Sequence, residues 1–201
     1  MNIRIVLGLL LALSACSGNQ QTLKSGLLLE NRINRGIDYT DPKGTDYSIR
    51  YIPITITNDS TISIDVLLAF SKEYNNPYPY SEDKFKLIPL PREWALDGVD
   101  ITESMLDELP SYIQNPVLNE TISPGEKIVF AIGSLYPRPA KSTGVLPRLL
   151  FAHSDTTTFP ECDRFMIKEP ESNQTIPIGL KIIFGEKCKI IRCGQISYPG
   201  Q

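Results

Sequence analysis

Histidine and tryptophan occur once each in these 201 residues, as His153 and Trp94. One histidine excludes a zinc site built on several histidines, although an all-carboxylate site survives that objection. Basic residues are not in excess: 20 lysines and arginines stand against 23 acidic residues, for a formal net charge of −3. No basic cluster of the kind that neutralises phosphates occurs, and phosphate-loop patterns are absent, so nucleic acid is not expected as a partner. Long apolar runs are missing too. The longest reads Ile5 to Leu13, well short of the roughly 20 residues a transmembrane helix requires.

That short run sits behind Arg4 and ahead of a polar stretch, Ser17-Gly18-Asn19-Gln20-Gln21. A positive charge followed by a brief apolar segment reads as an export signal and not as part of the fold. It ends in Leu13-Ser14-Ala15-Cys16. Those four residues resemble the lipobox of bacterial lipoproteins: a branched apolar residue, two small residues, then the cysteine that takes the lipid. The resemblance implies a diacylglyceryl group on the Cys16 sulfur, cleavage before Cys16 and a new amino terminus open to acylation, palmitate among the acyl chains. Two or three chains, at about 0.8 kcal/mol per buried methylene, make such anchoring effectively permanent. The ordinary alternative is a cleaved secretory signal, for which Ala12 and Ser14 offer small residues two apart. Ser17 directly after the cysteine resembles an outer-membrane sorting signal, which implies the periplasmic face of that membrane.

The expected organisation is a signal over residues 1–15, a lipidated tether over 16–26 and one domain over 27–201. At 41% apolar and 21% charged residues the chain can build a core. With Cys16 assigned to lipid, Cys162, Cys188 and Cys193 remain in a compartment that permits disulfides. Cys188 and Cys193 are five apart, so on one regular strand they point to opposite faces and need a bulge or turn to bridge. Cys162 with either of them is geometrically easier. A metal or redox pair is disfavoured, since Cys-x4-Cys is not the usual two-residue spacing.

Strand patterning dominates the body. Ile52, Ile54 and Ile56 alternate with Pro53, Thr55 and Thr57; after Asn58-Asp59-Ser60, Ile62, Ile64, Val66, Leu68 and Phe70 alternate again. The isoleucines are expected to face a core, the threonines and Asp65 water, and Pro53 to mark an edge strand or a bulge. Asp38, Asp41 and Asp46 precede them in a turn-rich stretch that does not fit the calcium-loop pattern and reads as a polar loop. Tyr74, Tyr78 and Tyr80 fall in a proline-interrupted loop, where they either contact a partner or pack on their own domain. Lys84 to Leu90 reads as a strand. Asp100 with Glu103 reads as a capping box opening a helix with Ile101, Met105, Leu106 and Leu109 on one face, ended or kinked at Pro110.

Strand patterning returns in Glu120-Thr121-Ile122-Ser123-Pro124-Gly125-Glu126, where Pro124-Gly125 specifies a tight turn, and continues through Ile128, Phe130 and Ile132. A strand, Asn-x-Ser, a strand, then Ile-Ser-Pro-Gly-Glu before another alternating strand resembles the immunoglobulin-like adhesion and accessory modules of bacterial envelope proteins. Further strands are expected at Arg148 to Ala152, Arg164 to Lys168, Gly179 to Phe184 and Lys187 to Ile196, the last two joined as a hairpin through Gly185-Glu186-Lys187. The fold class expected is all-β: an antiparallel two-sheet sandwich, immunoglobulin-like, with one short helical insertion.

Catalytic signals are sparse. His153-Ser154-Asp155 has the residue types of a hydrolase triad, but sequence neighbours do not reach the required mutual geometry, and no Gly-x-Ser-x-Gly elbow occurs. Asp97 with Asp100 and Glu169 with Glu171 are pairings common on surfaces. The expectation is therefore a lipid-anchored, non-catalytic binding or structural component of the bacterial cell envelope, with no cofactor or metal and with an envelope protein as partner. The alternative is an envelope hydrolase whose site gathers around His153 or an acidic cluster.

Overall fold

The computed structural model describes residues 26–33, 35–76, 83–138, 148–153, 164–168, 175–184 and 187–198. The lipobox residues Leu13, Ser14, Ala15 and Cys16, and also Tyr78, Tyr80 and Cys162, lie outside them.

Among the described residues the strands form two antiparallel sheets. The first places β10 (Arg164–Lys168), β1 (Gly26–Asn31), β3 (Asp46–Asn58), β8 (Lys127–Pro137), β6 (Lys84–Leu90) and β5 (Tyr74–Asn75) side by side, with β2 (Arg35–Thr40) also on β3. The second runs β7 (Val117–Ile122), β4 (Ile64–Ala69), β12 (Lys187–Ser197), β11 (Thr175–Phe184) and β9 (Arg148–His153). The protein is an all-β, two-sheet antiparallel sandwich. Most connections cross from one sheet to the other, and both inner faces contribute to one core. Ile52, Ile54 and Ile56 of β3 meet Ile64, Val66 and Leu68 of β4 and Ile178, Leu180 and Ile182 of β11, all buried.

The helical insertion between β6 and β7 comprises α1 (Arg92–Ala95), α2 (Glu103–Asp107) and α3 (Leu109–Gln114). It lies on the outer face of the first sheet and makes a second core, in which Trp94 and Leu109 pack with Tyr47, Ile49 and Tyr51. Trp94 meets Tyr51 edge-on, with centroids 5.3 Å apart and planes at 87°, a favourable arrangement for two aromatic quadrupoles. This layer corrects one expectation. Thr55 does not face water but is buried.

Two details of the helices also differ from expectation. The cap is Thr102, whose hydroxyl accepts from the Met105 amide at 3.4 Å, and not Asp100. Pro110 does not stop the helical run but sits in the first turn of α3, where a missing amide hydrogen is tolerated.

Pro53 is neither on an edge strand nor at a bulge. β3 is central, but its flank changes partner there: β2 pairs residues 46–51 and β1 pairs 54–58. The Pro53 carbonyl accepts from the Arg32 amide at 3.0 Å, so the proline nitrogen also points to this flank. The absent donor falls where, among the described residues, no strand faces it.

The two motifs that carried the immunoglobulin-like resemblance meet at one corner. Asn58 closes β3 and is fully buried. Its Nδ2 donates to the carbonyls of Ile62 and Ile122, each at 2.8 Å, and its Oδ1 accepts from the Ser60 amide at 3.0 Å and hydroxyl at 2.5 Å. Its backbone pairs with Gly125 and Glu126. One amide side chain thereby ties the β3–β4 corner to the β7–β8 turn, in which Gly125 adopts φ of +76°.

Cys193 is the extra residue of a bulge. Ile178 pairs with Gly194 and Gly179 with Arg192, which leaves Cys193 unopposed. The bulge resets the inward phase of β12, so that Ile191 and Cys193 before it and Ile196 and Tyr198 after it are all buried.

Candidate functional site

The ladder register defines an opening at the edge of the sandwich. Backbone groups of neighbouring strand residues point alternately to the two flanks. Because Pro53 turns its backbone toward β1, it forms a non-hydrogen-bonded pair with Ala131, and Asn58 donating to the Glu126 carbonyl fixes the same phase. Even-numbered residues of β8 therefore bond to β3, while Lys127, Val129, Ala131 and Gly133 present their amides and carbonyls to the opposite flank. β6 covers that flank only from Leu90, opposite Ala131, onward. Pro91 then turns the chain into α1, so among the described residues no strand faces the backbone of Lys127 and Val129.

A cleft of about 450 Å³ occupies this gap, within the size range of ligand pockets. One wall is residues 127–130 of β8, and the other is β7, the edge strand of the second sheet, through Val117, Leu118 and Glu120. Pro89, Leu90, Pro91, Arg92 and Tyr112 close the end away from the Ser123–Glu126 turn. The lining is apolar apart from three charges. Arg92, Glu120 and Lys127 have no ion-pair partner within 4.0 Å among the described residues, in contrast to Arg32, Arg35, Lys84 and Arg138. Tyr112 donates its hydroxyl to Glu108 at 3.1 Å, and burial, reinforced by that carboxylate, raises its pKa.

The residues singled out from sequence lie elsewhere. Tyr74 is half-buried on its own domain: its ring lies 5.7 Å from that of Phe85, and its hydroxyl accepts from the Ser71 amide at 2.8 Å. His153 ends edge strand β9 opposite Ile178, with its side chain outside the described residues. Of the two partners expected for Cys162, Cys193 is a free thiol inside the core, on the inward face it shares with Ile191 two residues before; the side chain of Cys188 lies outside the described residues. Burial pushes the Cys193 thiol up to about 12.

The aspartates of the β2–β3 loop are engaged locally. Asp41 accepts from the amides of Lys43 and Thr45 at 2.9 and 2.8 Å, Asp46 from the Thr40 hydroxyl at 2.6 Å, and Asp38 pairs with Arg138. Asp97 is held by Arg32 and Arg35, both at 2.5 Å, and so bonds the end of α1 to the β1–β2 connection. No group of three or more metal-ligating side chains occurs among the described residues.

Sequence reasoning missed the cleft. Pro89-Leu90-Pro91 marks where β6 must stop and Glu126-Lys127 where β8 begins, but only the pairing of those strands shows that one outruns the other. No protein-family profile, curated protein or solved structure matches this chain. Among the described residues no helix is long and apolar enough to cross a membrane.

Proposed function

We propose that this chain is a lipid-anchored, non-catalytic binding component of the bacterial cell envelope, tethered through Cys16 and engaging an envelope protein at the cleft between β7 and β8. The observation that carries the binding half is the cleft: an apolar interior, two facing sheet edges and three charges with no ion-pair partner among the described residues. Such a surface suits recognition, in which apolar burial supplies affinity and a few polar groups fix orientation. The anchor half rests on Leu13-Ser14-Ala15-Cys16 and on the polar residues between Cys16 and β1. A tether of that length keeps the domain within roughly 30 Å of the membrane, at about 3.3 Å per extended residue, and raises its effective concentration near other envelope components.

Two measurements on the full-length protein in bacterial cells test this reading. Radiolabelled palmitate is expected to label the wild type and not Cys16→Ala, and the variant is expected in the soluble fraction. A photo-crosslinking residue at Val117, on the cleft rim and 43% exposed, is expected to give protein adducts that the same residue at exposed Lys43 does not. Palmitate on Cys16→Ala, or the same adducts from both positions, would overturn the corresponding half.

A further inference from the structure

We propose that the cleft binds its partner by strand addition, receiving an extended polypeptide segment as a new strand beside β8, with an apolar centre bounded by acidic residues. This rests on the reading of the cleft as the binding site and goes further in naming the ligand chemistry. The open flank of β8 has the hydrogen-bond pattern of an unfilled sheet position. Lys127 and Val129 offer amide and carbonyl pairs, spaced two residues apart, along a flank that β6 leaves open. Only another extended backbone matches donors and acceptors at that period, which is how exposed sheet edges capture peptides.

Apolar and charged groups around the gap define the ligand's side chains. An added strand continues the pleat of β8, so its residues alternate between the two faces of the first sheet. On the inner side they meet Leu118 and Phe130, and on the outer side Tyr112 and Val129. Both faces are apolar, so the ligand's central residues are apolar in succession and not in alternation with polar ones. Lys127 and Arg92 line the gap from its two ends: Leu90, two residues before Arg92, lies opposite Ala131, four residue steps along β8 from Lys127, or about 13 Å. With no carboxylate paired to either among the described residues, they complement acidic side chains flanking the apolar centre. Glu120 on the β7 wall repels a third acidic residue in the middle.

The test uses the full chain in detergent micelles and a phage-displayed library of random ten-residue peptides. Strand addition predicts enrichment of peptides with about four apolar residues between acidic ones. Synthetic versions of an enriched peptide, N-methylated one amide at a time, should show a period of two: at least tenfold weaker binding at alternate positions and less than twofold at the others. Arg92→Glu combined with Lys127→Glu should weaken binding at least tenfold. Val129→Pro should do the same, since the amide hydrogen it removes is not used by β3. Folding of each variant is checked by Trp94 fluorescence, and the N-methyl scan stands even if a variant fails to fold. Cleft-dependent binding without the two-residue period would overturn strand addition while leaving the cleft as a binding site. Absence of any enriched peptide, binding insensitive to all three substitutions in folded protein, or self-association that occupies the cleft would overturn the proposal itself.

Discussion

Asn58→Asp isolates the corner at which β3 and β4 bend against β7 and β8. The two side chains have nearly the same shape, so packing is conserved and only hydrogen-bonding capacity changes. Asparagine supplies two donors, to the carbonyls of Ile62 and Ile122, while its oxygen accepts twice from Ser60. A carboxylate keeps the accepting half and loses the donating half. Two carbonyls then face a negative charge at a fully buried position. The Ile122 carbonyl loses its buried side-chain donor, at about 1–3 kcal/mol, while the part-buried Ile62 carbonyl keeps the Ser60 hydroxyl at 2.9 Å; with the buried charge added, the expected loss at neutral pH is about 2–4 kcal/mol. That is a large share of the roughly 5–15 kcal/mol by which a domain is stable.

The pH dependence of this loss has a defined sign. Burial next to carbonyls raises the carboxyl pKa in the folded state above its unfolded value, so between the two values the folded state binds more protons. Stability of the variant therefore rises as pH falls through that window, and a protonated carboxyl again donates to one carbonyl. The assay is urea unfolding of the variant and wild type from pH 4 to 7, followed by Trp94 fluorescence, with Asn119→Asp on the exposed side of β7 as control. A loss under 1 kcal/mol, or one that does not shrink toward pH 4, would refute the account of the corner.

Gly194→Ala should cost at least about 2 kcal/mol, because an added Cβ would collide with the Leu67 carbonyl oxygen and lie 3.0 Å from the Leu68 Cα, and backbone does not yield as a side-chain tip does; differential scanning calorimetry reads the fall in Tm. The Cys193 thiol should stay unmodified by a thiol reagent at pH 8 in folded protein and react at once in denaturant. Its raised pKa also makes the folded state hold a proton that the unfolded chain releases above about pH 9, so the stability conferred by a neutral thiol is full below that pH and falls by about 1.4 kcal/mol per unit as pH climbs toward 12. Cys193→Ala should remove this dependence in urea titrations. Asp97→Ala should cost about 1 kcal/mol or less, with the difference shrinking in high salt, since its two arginine pairs are largely exposed.

What the sequence made legible follows from which interactions are local. Alternation along Ile52 to Ile56 and Ile64 to Leu68 reports burial of one face, and those residues do form the inter-sheet core. The Pro124-Gly125 turn is encoded by two adjacent residues and adopts the positive φ its glycine permits. Alternation is silent about a second layer on the other face, because threonine and tyrosine serve both surface and interior. Tyr47, Ile49 and Tyr51 occupy the odd positions of β3 that the helices cover, and a strand with both faces buried loses the contrast on which such readings depend.

Pro53 shows the same limit from another side. A proline lacks a donor, and that is local knowledge; which neighbour would have used the donor depends on residues far along the chain. The sequence rule places proline on edges because an edge is the commonest place where no partner waits. In β3 the same condition is met in the middle of a sheet, at the gap between β1 and β2. The cleft obeys identical logic. Val129 is an ordinary alternating strand residue, and what distinguishes it is that β6 has already ended at Leu90 opposite its neighbour. An open edge of this kind is created by a mismatch in length between two strands about forty residues apart. It becomes legible only once their register is known, because what sets Val129 apart is the open flank of its backbone and not its side chain.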